Sequence, residues 1–230
     1  MNLNTQTYDG FGGVVSAEQR NRVMRNTYWL LALSMLPTVL GAWVGVTTGI
    51  TAGLTGFMGL IVFLGGAFGF MFAIEKTKNS AAGVPVLLAF TFFMGLMLSR
   101  LLAQVLGFKN GSELIMTAFG GTAGVFLIMA NLSTVIKKDL SGMGKWLFIG
   151  AIGILIGGII NVFVGSPIGM AVLSVMAIIV FSGFLLYDLK RIVDGGETNY
   201  ISATLGLYLS VFNIFQSLLA LLGIFGGERD

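Results

Sequence analysis

Seven predominantly apolar stretches, near residues 27–48, 52–74, 84–106, 114–136, 146–165, 168–187 and 201–224, constrain this chain more than any motif in it. A hydrocarbon core about 30 Å thick is crossed by about 20 helical residues, and each stretch meets that length. None of them alternates polar and apolar residues over about ten positions, as strands of a membrane barrel do. Lipid offers backbone amides no partner, so the stretches must bond internally, as helices. The expected fold is all-α: a polytopic membrane protein built as a seven-transmembrane-helix bundle. Residues 1–26 form an N-terminal tail, 27–224 the transmembrane domain and 225–230 a short C-terminal tail. Only Gly165-Ser166-Pro167 marks the join between the fifth and sixth stretches, which leaves six spans plus a re-entrant helix as the rival topology.

Composition agrees with that reading and excludes several functions. With 56% hydrophobic and 10% charged residues, the chain has more apolar surface than a soluble domain of 230 residues can hide. It contains no cysteine and no histidine, which removes disulfides, thiolate metal sites, cysteine nucleophiles and the usual general base at neutral pH. No cofactor is implied, and no catalytic pair stands at a recognisable spacing, so the chain reads as no enzyme. The formal net charge of +3 comes from short clusters between apolar runs and not from one basic face, which argues against nucleic acid. The polar start of the chain lacks an apolar core with a small-residue cleavage site, so the first span is expected to serve as the targeting signal.

Those clusters also orient the bundle. Arg20, Arg22, Arg25, Lys76, Lys78, Lys137, Lys138, Lys145, Lys190 and Arg191 fall on one side, whereas the other has only Lys109 and Arg229. The positive-inside rule then places the N-terminus in the cytoplasm and the C-terminus outside. Glu75, Asp139, Asp188, Asp194 and Glu197 share the cytoplasmic side. Arg100 lies inside the third stretch, six residues from its end, where it either snorkels to the outer surface or pairs within the bundle.

Glycines four apart occur at Gly41 and Gly45, Gly65 and Gly69, Gly120 and Gly124, and Gly153 and Gly157. Small residues let helices approach closely in lipid, so these pairs are expected to pack the bundle within one chain, with a homodimer interface as the other use. Gly195-Gly196 has no Walker context, and a turn is the better reading. There Glu197, Thr198 and Asn199 supply acceptors for the amides that open the last helix. Asn110 and Asn131 open sequon-like triplets that read as chance matches. The last stretch carries Thr204, Tyr208, Ser210, Asn213, Gln216 and Ser217, more polar groups than a lipid-facing helix tolerates. It belongs at the centre, where those groups serve either interhelical hydrogen bonds or an ion path.

The string GGETNYISATLGLYLSVFNIFQSLLALLG, with the preceding YDLKRI and the early RNTYWLLALS, resembles the Bax inhibitor family, in particular its YccA-like bacterial inner-membrane branch. The resemblance spans nearly the whole chain and is most specific in the last two helices. It implies six helices around a buried seventh and an inner-membrane location. It also implies a role in modulating the membrane AAA protease FtsH by protein binding, engaged through the N-terminal tail. The alternative it implies is a pH-sensitive calcium or cation leak, with Ca2+ or H+ as permeant or regulator. In members of that kind, a carboxylate at the end of helix six shares a proton with one in helix seven. Asp188 matches the first, but the position after Leu207-Tyr208-Leu209 is Ser210, so the partner carboxylate is missing. Asp194, Glu197 and Asn213 are the other ion-path or pH-sensing candidates. A charge at a membrane boundary tends to be paired, and Lys76, Lys78 and Arg191 stand on the same side as Asp188. The expectation is an ionised, paired Asp188 that ties helices six and seven to the second.

Overall fold

A computed structural model describes residues 16–228; most of the N-terminal tail, together with Arg229 and Asp230, lies outside the described residues. Its elements are α1 (Ala17–Thr48), α2 (Gly56–Thr77), α3 (Gly83–Leu106), α4 (Gly111–Val135), α5 (Met143–Val164), α6 (Pro167–Val193) and α7 (Tyr200–Phe225). All seven are long and apolar enough to cross a membrane, and no strand occurs among the described residues.

Local chemistry sets the helix ends. Ser16 opens α1 by accepting from the Gln19 amide at 3.2 Å, and Gly49 closes it at φ +64°. The doubtful join between α5 and α6 resolves into two helices. Gly165 takes φ +66°, Ser166 caps Gly169 N at 3.0 Å, and Pro167 occupies the first turn, where its missing N–H is harmless. Both helices, of 22 and 27 residues, are long and apolar enough to cross a membrane, as seven spans require.

Two ends differ most from the sequence expectation. α1 starts at Ala17, well ahead of the apolar run, because Glu18 to Arg25 continue the helix as a charged segment. α6 continues to Val193, past the expected end at 187, so Asp188, Lys190 and Arg191 are helical residues.

Packing separates an inner set of helices from outer ones. α1 and α3 form the closest seam, in which each helix offers glycine to the other's backbone. A Cβ on Gly41 would strike the Phe92 carbonyl, one on Gly45 the Ser99 side chain, and one on Gly95 the Thr38 carbonyl. α7 lies against α1, α2, α3, α4 and α6, and every residue from 201 to 220 is buried or partly buried. The expected central seventh helix is thus correct, although the surrounding ring is incomplete. α5 rests only on α6 and α2 and buries no residue.

The glycine pairs behave unequally. Gly41 and Gly45 pack inside the chain as expected, and Gly157 meets Leu173. In contrast, Gly65, Gly69, Gly120, Gly124 and Gly153 have nothing within 4 Å of a notional Cβ. Spacing four apart permits close approach, but here the α2 and α4 pairs face outward.

The two ends of the bundle are each stitched together. At one, Asn199 ahead of α7 donates to the Lys78 carbonyl and to Asn79 Oδ1 at the end of α2, at 3.2 and 2.8 Å. At the other, the Thr51 and Ser99 hydroxyls bond at 2.7 Å, and the Arg100 guanidinium donates to the Leu54 carbonyl in the α1–α2 connection. Arg100 thus reaches toward that end of the bundle and bonds backbone there. Asn110 fastens the chain's end there, donating to the Gly226 carbonyl at 2.7 Å and accepting from Glu228 N at 3.1 Å.

Candidate functional site

The site predicted around the end of α6 is built from three pieces: the last two turns of α6, the Asp194–Asn199 turn and the first half of α7. Gly195 enters that turn at φ +80°, a conformation that costs glycine least. Asn199 then caps α7, its Oδ1 accepting from Ile201 N and Ser202 N at 2.9 and 3.0 Å. This cap was legible as a polar turn, but its bridge to α2 was not.

Asp188 faces α7. A Cβ on Gly206 would lie 2.8 Å from Asp188 Oδ2, so the missing side chain lets the carboxylate lie against the helix. Ser210 is one turn further along α7 and is 2% exposed. Among the described residues, neither the Asp188 carboxylate nor the Ser210 hydroxyl has a hydrogen-bonding or ion-pair partner.

The expected basic partners are engaged elsewhere. Lys78 pairs with Glu75 at 2.5 Å, Arg191 with Glu197 at 3.2 Å, and Lys76 lies over the Phe72 ring at 5.4 Å. Lys190, only 8% exposed, pairs with Asp194 at 2.6 Å. Each of these cations has a local partner and none makes an ion pair with Asp188, so the direct pair expected from sequence is not formed. Asp194 and Glu197 are spent on α6 cations, and Glu197 also accepts from Asn199 N at 3.0 Å. Asn213 turns back to its own helix, donating to the Leu209 carbonyl at 2.8 Å. Of the named candidates, Asp188 and Ser210 are the two whose side chains make no hydrogen bond or ion pair among the described residues.

Nearby, Asp139 closes the α4–α5 connection. Its carboxyl is held below the ordinary value first by the Ser141 amide and then by the Ser141 hydroxyl, each at 2.8 Å, with the Lys190 charge adding a little.

A polar element that sequence reading undervalued lies deeper. The Tyr208 hydroxyl sits between Thr38 Oγ1 on α1, at 2.9 Å, and the Thr91 carbonyl on α3, at 3.4 Å. It joins the three innermost helices through one buried atom. The hydroxyl-rich positions of α1 and α3, Ser34, Thr38 and Thr91, were the signal that could have found it.

Comparison with known proteins decides the family. A family model described as "Inhibitor of apoptosis-promoting Bax1" matches residues 20–227. The chain belongs to the Bax inhibitor family. Among its Bax inhibitor relatives is the "Modulator of FtsH protease YccA" of Escherichia coli, 38% identical over 210 residues, covering 91% of this chain and 92% of that one. An uncharacterized membrane protein of Vibrio cholerae is 36% identical over 222 residues, covering 96% and 98%. A Pseudomonas aeruginosa protein is 33% identical over 226 residues, covering 98% of this chain and the whole of its own length. Where the resemblance implies a carboxylate in each of the last two helices, this chain has Asp188 in α6 and a hydroxyl, Ser210, in α7.

Proposed function

We propose that this chain is an inner-membrane modulator of the protease FtsH and that it acts by binding protein. The observation that carries this reading is 38% identity, over nine-tenths of both chains, to a relative whose name describes that activity. The engaged segment is the N-terminal tail, residues 1–26, whose last residues continue α1 beyond the apolar run. With the basic end of the bundle in the cytoplasm, that tail stands on the cytoplasmic side. The test is affinity capture of the full chain from detergent-solubilised membranes, with and without residues 1–15. FtsH is expected with the full chain and is expected to be depleted on removal of the tail. Its absence from the full-chain capture contradicts the proposal.

The cytoplasmic placement has its own check, since the chain has no native cysteine. An impermeant maleimide should label Ser141→Cys only in inverted vesicles and Ala52→Cys in intact spheroplasts. The opposite pattern reverses the orientation.

A second reading, a calcium or cation leak sensitive to pH, rests on the unpartnered Asp188 carboxylate and Ser210 hydroxyl along α7. An unpaired, partly buried charge destabilises a fold, so Asp188→Asn is expected to melt at or above the parent temperature in detergent. This reverses the sign that a paired Asp188 would give. A fall of several degrees would show that the carboxylate has a stabilising partner after all. In proteoliposomes, calcium flux equal to that of empty liposomes from pH 5 to 8 contradicts the leak.

A further inference from the structure

We propose that the groove between the start of α1 and the start of α7 binds one anionic phospholipid, with its phosphate at Arg22, Arg25 and Asn26 and its acyl chains along Trp29 and Leu33. The groove has a volume of about 350 Å³ and is lined by Asn26, Trp29, Leu30, Leu33 and Tyr200. Arg22 precedes Asn26 by four residues and Arg25 precedes Trp29 by four, so both arginines stand one turn above the lining on the same face of α1.

Three observations select an anionic lipid. First, Arg22 and Arg25 are exposed and, among the described residues, have no carboxylate within ion-pair distance, whereas Lys78, Lys190 and Arg191 at the same end are already paired. Their charge is available to a ligand. Second, the Asn26 amide and the Tyr200 hydroxyl at the groove's rim make no side-chain hydrogen bond among the described residues. They offer donors next to the cations. Third, the face changes from cationic to apolar over about three turns, roughly 16 Å from Arg22 to Leu33, ending at Trp29 and Leu33, which are 73% and 44% exposed. A phospholipid has the same order over the same distance, phosphate first and hydrocarbon below. A tryptophan at the boundary anchors that register, as amphipathic rings do at headgroup depth. A polypeptide docked here would have to satisfy both halves at the one depth where lipid already does.

The full chain in neutral detergent, with Trp43→Phe and Trp146→Phe so that Trp29 alone reports, provides the test. It is mixed with dibrominated phosphatidylglycerol or dibrominated phosphatidylcholine, and quenching of Trp29 is followed. Phosphatidylglycerol is expected to quench at lower concentration. Because an arginine near an anionic surface contributes about a fivefold preference, Arg22→Gln with Arg25→Gln should reduce that preference by about tenfold or more. Lys137→Gln with Lys138→Gln, cations at the same end outside the groove, should leave it unchanged. Millimolar inorganic phosphate should not relieve quenching, since it lacks the hydrocarbon that fills the lower half. Equal quenching by the two lipids overturns the proposal. So does an equal loss in the lysine variant, which would mean a diffuse charge effect, and so does displacement by phosphate alone, which would mean a free-anion site.

Discussion

Gly95→Leu is expected to abolish the folded protein, whereas Gly65→Ala should leave it intact or make it slightly more stable. In α3, a Cβ on Gly95 would meet the Thr38 carbonyl carbon at 2.8 Å and Ala42 N at 3.0 Å, both in the backbone of α1. Backbone cannot rotate away as a side chain can. Overpacking typically costs about 1–3 kcal/mol, and a leucine that must force neighbouring helix backbones apart stands at or beyond the top of that range. Gly65 is also in mid-helix, but its notional Cβ has nothing within 4 Å. There, alanine removes glycine's entropic disadvantage of about 0.5–1 kcal/mol without a clash. Monodisperse yield and melting temperature in detergent decide the matter. A well-folded Gly95→Leu protein, or a strongly destabilised Gly65→Ala protein, would mean that the α1–α3 seam is misassigned.

Tyr208→Ala should be the most damaging single truncation in α7. The ring is 1% exposed, packs near Phe90 and Phe212 at centroid distances of 6.0 and 5.9 Å, and ends at the Thr38–Thr91 junction. Removing a buried aromatic side chain costs about 3–5 kcal/mol through lost packing and the residual cavity. Tyr208→Phe keeps the ring and loses only the hydroxyl's bonds, a net effect of about 0.5–1.5 kcal/mol. The two variants should therefore melt far apart, with Tyr208→Phe close to the parent. If they melt together, the hydroxyl junction and not the packed ring holds α7 in place.

Those two positions show which physical signals survive in a sequence. Helix number was legible because lipid imposes a length on each span, and even the weak Gly165-Ser166-Pro167 mark resolved into a cap and a proline start. The centre of the bundle was legible because polar residues concentrate in α7. Helix ends were less so. The charges after 187 read as a boundary, yet Lys190 and Asp194, four apart, form a pair that supports continued helix. The glycine pairs misled for a different reason. Gly65 with Gly69 and Gly120 with Gly124 have the spacing of Gly41 with Gly45, but spacing does not say which face meets another helix.

The candidate site divides in the same way. Asp188 and the capping turn could be located from residue type and position alone. The partner of Asp188 could not, because several cations share its end of the bundle and their choice depends on local geometry. Glu75 lies one turn before Lys78, and Glu197 folds back to Arg191 across the turn, so each cation makes its ion pair with a local carboxylate and not with Asp188. Ser210 stands where the resemblance implies a second carboxylate. That its hydroxyl stays unpartnered beside the Asp188–Gly206 contact needed the packed helices.

Modulation of FtsH is measured most directly with purified components. FtsH is reconstituted in liposomes with a membrane substrate, with or without this chain at equal molar ratio, and the rate of substrate loss is followed. The rate of proteolysis is expected to change when the full chain is present and to return substantially toward the rate without it when residues 1–15 are removed. Identical rates with and without the full chain, under conditions where both proteins are shown to be inserted, would contradict a modulator role.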